Sequence, residues 1–176
     1  SLAGELATAA KKLIARDRVA VLIGECSSGR TLEAAPVAQA AGIPLITPAA
    51  TNPKVTQVGD CIFRVCFIDP FQGDVIAAFA RRRLKLKRAA LLVEAGAPYS
   101  VGLAEYFAKT FTALGGEIVA TQKYSGADTD FRAQLTAIRA ARPDAIFLPG
   151  YYVAAGLVAQ QAKQLGLQAT LLGGDG

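Results

Sequence analysis

The chain has 176 residues, room for one domain or two small lobes. Apolar residues make up 52% of it and the mean hydropathy is +0.33, which excludes a disordered polymer. Nineteen basic residues face fourteen acidic ones, but six bases lie in 81–88 (RRRLKLKR), which leaves thirteen against fourteen elsewhere and one place for an anionic partner.

In chain order, Leu6, Ala9, Ala10, Leu13 and Ile14 recur at helical spacing, and the continuous apolar run Val19 to Ile23 reads as a buried strand. The couplet repeats with an Ala-rich helix over 31–41 and a short strand over 44–47. The stretch 51–72 (TNPKVTQVGDCIFRVCFIDPFQ) breaks the rhythm with Asn-Pro, Gly-Asp and Asp-Pro turns around one strand, 61–67, and no full helix. It reads as a crossover between two lobes, 1–67 and 68–176. Helices are then expected at about 73–84, 100–114, 131–141 and 153–165, alternating with strands at 89–93, 117–122, 144–148 and 170–172. Gly115-Gly116 and Gly166 are helix stops, and Asp128 or Thr129 is the expected cap before Phe131. Continuous apolar strands between amphipathic helices define an α/β fold with parallel sheets covered on both faces.

Absent residues narrow the chemistry. With no histidine, Ser-His-Asp and Cys-His activation and His-ligated zinc are excluded. Cys26, Cys61 and Cys66 fit neither a redox pair nor a zinc knuckle, and Cys61 and Cys66, five apart on an extended strand, are too distant to bond each other. Neither G-x-G-x-x-G nor G-x-x-x-x-G-K-[ST] occurs. No cofactor or metal is implied. The uncharged stretch 145–162 is broken by Pro149-Gly150 and closed by Gln160-Gln161, so it does not read as a membrane span. No signal-peptide pattern opens the sequence, which fits a cytosolic chain or one whose signal has been removed.

Ligands of open parallel sheets bind beyond the carboxyl ends of the strands. Six loops occupy those places: GECSSG (24–29), TPAATNP (47–53), EAGAPYS (94–100), SGADTD (125–130), PGYY (149–152) and GGDG (173–176). Ser27 and Ser28, at the start of a helix, suit a carboxylate or phosphate, and equally suit an ordinary helix cap. Ala49, Ala50 and Thr51 offer close backbone approach and one hydroxyl, or form a plain turn before Asn52-Pro53. Tyr99, Tyr151 and Tyr152 sit at strand ends as ligand contacts or as buried tyrosines with satisfied hydroxyls. Asp175 is a counter-charge for an ammonium group or a turn residue. The basic cluster follows a helix and reads most simply as cations for a helix C-terminus, since nucleic-acid binding would want interleaved aromatics.

In order, C-S-S-G, T-P-A-A-T-N-P, F-R-V-C-F-x-D-P-F-Q-G, P-Y-S-x-G-L-A, G-Y-Y and G-G-D-G resemble the branched-chain amino-acid-binding family, the periplasmic solute-binding proteins of ABC importers. The resemblance covers essentially the whole chain. It implies a two-lobed type I fold, a small amino acid bound in the cleft between lobes, delivery to the membrane subunits of a permease, an extracytoplasmic location, and no catalysis. It assigns the ligand carboxylate to Ser27, the Ala49 backbone and Thr51, and the closing contacts to Tyr99, Tyr151 and Asp175. Asp175 reaches one methylene less far than the glutamate of some relatives. In some relatives the counterpart of Cys26 pairs with a cysteine further upstream.

Relatives also carry an N-terminal strand and helix and a longer C-terminal portion. The chain therefore reads as an incomplete fragment of both lobes, with a second chain, identical or complementary, as a candidate partner. An α/β sensor domain or enzyme of the same architecture and a nucleic-acid-binding module are the rival readings. The absent histidine and phosphate loops weigh against an enzyme, and the single basic cluster against nucleic acid.

Overall fold

All strand pairings among the described residues are parallel, as buried apolar strands alternating with helices require. The computed structural model describes residues 4–176. The chain divides into two units, the first ending at Asp69 and the second starting at Pro70.

The first unit runs α1 (Glu5–Ala15), β1 (Leu22–Ile23), α2 (Ser28–Ala40), β2 (Leu45–Thr47), a 3-10 turn (Pro53–Gln57) and β3 (Ile62–Arg64), with sheet order β1-β2-β3. Register places Leu22, Leu45 and Ile62 in one row across the sheet, and this row packs with Ala10, Ala34, Ala35, Ala38 and Val55. Ser28, Thr31, Ala34, Ala35 and Ala38 form the buried face of α2, small side chains that permit a close approach. Both outer strands are shorter than their apolar runs. Only Leu22 and Ile23 find partners on β2, and β2 itself is three residues long, which limits β3 to its own three.

The second unit runs α3 (Asp69–Ala78) with a π-helical continuation (Phe79–Arg83), β4 (Arg88–Glu94), α4 (Pro98–Ala113), β5 (Glu117–Tyr124), α5 (Arg132–Ala140), β6 (Ala145–Leu148), α6 (Tyr152–Gln164) and β7 (Thr170–Gly173). The order is β5-β4-β6-β7, with β4 buried along its centre. Alternate residues of β4 feed two cores. Ala89, Leu91 and Val93 pack with Leu103, Phe107 and Phe111 of α4, while Ala90 and Leu92 pack with Phe131, Leu135, Ile138 and Val158. Phe107 lies between Phe147 and Phe111, with ring centroids 4.1 and 5.2 Å away.

Two expectations need correction. α3 opens at Asp69, not after Gln72, because the Asp-Pro pair is a helix start: Pro70 occupies a first-turn position whose N–H has no intrahelical partner anyway. Neither Asp128 nor Thr129 caps α5. Asp128 Oδ2 accepts from the Ser125 N–H and closes the loop, Asp130 Oδ1 accepts from the Arg132 N–H, and the buried Gln161 amide holds the Phe131 N–H and the Thr129 carbonyl. The glycine stops are in place, with Gly115 and Gly166 at φ 77 and 65°.

The basic cluster serves helix ends other than its own. Arg81 donates to the carbonyls of Leu86, Leu114 and Gly115, and Arg88 to those of Ala141 and Arg142 while pairing with Glu117 at 2.7 Å. These residues satisfy orphan carbonyls where α4 and α5 end.

Phe107→Ala would open a void between two stacked rings and is expected to lower the stability of the second unit by about 3–5 kcal/mol. Urea unfolding followed by circular dichroism measures this, and a loss below about 1 kcal/mol would show that the ring stack is not the centre of that core.

Candidate functional site

Because each sheet is parallel, the loops leaving its strands gather along one edge. In the first unit, Glu25 turns back over its own loop: its Oε1 accepts from the Cys26 and Ser27 N–H groups at 2.7 and 3.2 Å, and its Oε2 meets Arg30 at 3.3 Å. Burial works against this charge, but the Ser27 and Cys26 N–H groups and Arg30 outweigh it and hold the carboxyl below its ordinary range. A carboxylate is the expected ligand group at this helix entry, and the chain's own Glu25 already takes two of its N–H groups. Ser27 is the N-cap residue, though its hydroxyl does not close the cap of α2. Ser28 is buried and its Oγ accepts from the Asn52 N–H at 3.1 Å, so it ties the two loops together.

The second loop is fixed from both sides. Thr47 Oγ1 donates to the Glu25 carbonyl at 2.6 Å and accepts from the Ala50 N–H at 3.0 Å. The Arg64 guanidinium donates to the Ala50 and Asn52 carbonyls at 3.2 and 2.9 Å. Ala50 and Thr51 are buried, and Ala49 is half-buried. Of these three backbones, Ala49 is therefore the one left nearest solvent.

In the second unit, three loops converge. Tyr99, on the first turn of α4, donates its hydroxyl proton to Asp175 Oδ1 at 3.0 Å and accepts the Gly176 N–H at 3.0 Å. The Tyr151 ring lies 5.5 Å from the Tyr99 ring at 34°. Gly174 makes this approach possible, since a Cβ there would stand 2.5 Å from the Tyr99 hydroxyl oxygen. Asp175 is exposed, which leaves its carboxylate open to a cation. Tyr152, in contrast, is 80% exposed.

Sequence reading missed Glu25 as a loop closer, Arg64 and Thr47 as loop holders, and Gln72 beside Gly174. It also missed a polar pair on the opposite face of the second sheet, where Glu94 and Tyr124 are register partners. The Tyr124 hydroxyl is buried without a hydrogen-bond partner, and burial foremost, with Glu94 and Tyr151 adding to it, pushes its pKa up. Burial likewise raises Glu94. A cavity of about 330 Å³ lies by these strand ends, lined by Ala95, Gly96, Lys123, Tyr124, Ser125, Gly126 and Asp128. Among the described residues no cluster of His, Cys, Asp and Glu could hold a metal ion, and no helix is long and apolar enough to cross a membrane.

Parallel α/β units whose strand-end loops converge in this way are the halves of a type I periplasmic-binding-protein fold. The family model described as "Periplasmic binding protein" matches residues 3–176, and the chain belongs to that family. The Leu/Ile/Val-binding protein BraC3 of Rhizobium johnstonii is 34% identical over 96% of this chain and 46% of its own length. The leucine-binding protein LivK of Thermotoga maritima superposes with a TM-score of 0.95 at 42% identity, over 98% of this chain and 49% of that one. A solute-binding protein of an ABC transporter from Rhodopseudomonas palustris, in complex with 3,4-dihydroxybenzoic acid, matches with a TM-score of 0.86 at 30% identity over 96% of this chain and 47% of its own. The chain thus spans about half the length of the relatives it matches.

The two glutamates predict opposite pH behaviour. Glu25, lowered in the folded state, stabilises the fold above its unfolded pKa and loses that contribution as the pH falls through its folded value. Glu94, raised in the folded state, costs stability as the pH rises from its unfolded to its folded value. Near neutrality Glu25→Gln should lower the urea midpoint and Glu94→Gln should raise it, with both differences fading in acid. The same direction for both would contradict the assignment.

Proposed function

We propose that this chain is amino-acid-binding material of an ABC importer, acting outside the cytoplasm and without catalysis, and that its ligand is a small aliphatic or aromatic α-amino acid delivered to membrane permease subunits. The observation that carries the reading is the Tyr99 hydroxyl held between the Asp175 carboxylate and the Gly176 backbone, with the Tyr151 ring against it. This arrangement presents an anionic oxygen beside two aromatic rings, chemistry suited to an ammonium group on an apolar side chain. The family resemblance assigns the ligand carboxylate to Ser27, the Ala49 backbone and Thr51 of the first unit, where the Ser28 hydroxyl and the Ala50 N–H tie the loops. Leucine- and Leu/Ile/Val-binding relatives support the class of ligand.

An aromatic acid is the second reading, favoured by the Rhodopseudomonas palustris complex. The two separate on one point: an aromatic acid carries no ammonium group and gives Asp175 no cation to pair with.

A thermal-shift screen of the twenty amino acids and a set of hydroxybenzoates tests both, because a ligand that binds only the native state raises its midpoint. Aliphatic amino acids are expected to raise it, and a response to benzoates alone would replace the first reading with the second. Asp175→Ala is expected to weaken amino-acid binding through loss of the counter-charge, by about 2–5 kcal/mol if the bound ligand desolvates the pair, read by calorimetry. Unchanged affinity would make Asp175 a turn residue.

Apolar surface motivates a further partner. Ile23 and Val65 are 80 and 74% exposed in the first unit, and Phe71, Val75 and Phe79 repeat every four residues along α3 and into its π-helical continuation at about half exposure or more. We propose that a second chain, identical or complementary, covers these residues. Sedimentation velocity of the 176-residue chain tests the identical partner: association is expected, and a stable monomer would contradict a second copy.

A further inference from the structure

Gln72 was absent from every set of candidate residues, yet its amide oxygen has no hydrogen-bond partner and the residue is only 9% exposed. Nearly all buried polar atoms are paired, so one left open inside a candidate site calls for a donor. Its position is defined by Gly174: a Cβ there would stand 2.5 Å from the Tyr99 hydroxyl oxygen, 2.8 Å from Leu103 Cδ2 and 3.0 Å from Gln72 Oε1. The amide oxygen therefore opposes the same backbone as the Tyr99 hydroxyl, one residue from Asp175.

Tyr99 cannot satisfy it. A phenol has one proton, and that proton goes to Asp175 Oδ1. The Gly176 N–H is committed to Tyr99 in turn. What remains is an acceptor without a donor beside an exposed carboxylate that also only accepts. The complement of two adjacent acceptors, one charged and one neutral, is a group with several N–H donors and a positive charge. A primary ammonium has three such donors and a carboxylic or phenolic ligand has at most one per group.

Resting on the amino-acid reading above, we propose that Gln72 Oε1 accepts an N–H from the ligand's α-ammonium group beside Asp175. Gln72 thereby selects amino acids over the corresponding carboxylic acids. The charge comes from Asp175 and the discrimination is shared, because a ligand without the ammonium leaves the buried amide oxygen open, as it is in the free chain.

The test is calorimetric titration of L-leucine and of its des-amino counterpart, 4-methylpentanoate, into the unsubstituted chain and the Gln72→Leu and Gln72→Glu variants. Gln72→Leu should weaken L-leucine by about tenfold or more and leave 4-methylpentanoate unchanged. Gln72→Glu keeps an acceptor at the same reach and should hold L-leucine within about threefold while weakening 4-methylpentanoate. Equal losses for both ligands in Gln72→Leu would reduce Gln72 to a packing residue and overturn the proposal. So would an undiminished affinity for L-leucine. Should Gln72→Leu fail to fold, a tenfold loss of L-leucine in a folded Gln72→Glu overturns it on its own. If the unsubstituted chain binds no amino acid at all, it is the function proposed above that fails, and this inference falls with it.

Discussion

Parallel pairing is the constraint on which the other features depend. In a parallel sheet every strand delivers its carboxyl end to the same edge, so the loops after β1 and β2 meet, and so do those after β4, β6 and β7. Residues as far apart as Tyr99 and Asp175 become hydrogen-bonded neighbours for that reason alone. The cost is that each such loop arrives with unpaired backbone groups, and the chemistry of the strand ends is largely the chemistry of satisfying them.

The two units solve this differently. The first relies on side chains that are themselves charged or hydroxylic: Glu25 takes N–H groups, Arg64 takes carbonyls, and Thr47 links one loop to the other. Its loops are held together by these hydrogen bonds. The second leaves buried polar atoms unpaired, with Tyr99 engaged to Asp175 and Gly176 but Gln72 and Tyr124 still holding unsatisfied oxygens.

Much of this was legible in the sequence because apolar period is a local signal. The helices and strands of the second unit fall within a few residues of their expected places, since Ala90-Leu92 and Ala89-Leu91-Val93 must face two different cores. The strand-end positions of Tyr99, Tyr151 and Asp175 could be read from the loops alone. Less could be read where pairing or side-chain reach decides. β1 pairs over Leu22 and Ile23 alone although its apolar run is longer, and Asp-Pro opened a helix where turn propensity suggested a crossover. Glu25 folding back onto its own loop, Arg64 reaching twelve residues upstream to Asn52, and Gln72 meeting Gly174 across the unit leave no periodic trace.

The central claim is that the Tyr99, Tyr151 and Asp175 cluster receives an α-amino acid. Nuclear magnetic resonance of the chain carrying ring-labelled tyrosine, titrated with L-leucine, addresses it most directly because Tyr99 and Tyr151 are packed together while Tyr152 stands exposed outside the group. The expected result is a saturable shift of the Tyr99 and Tyr151 ring signals with Tyr152 unmoved. Saturable binding that leaves both of those rings unchanged would contradict it.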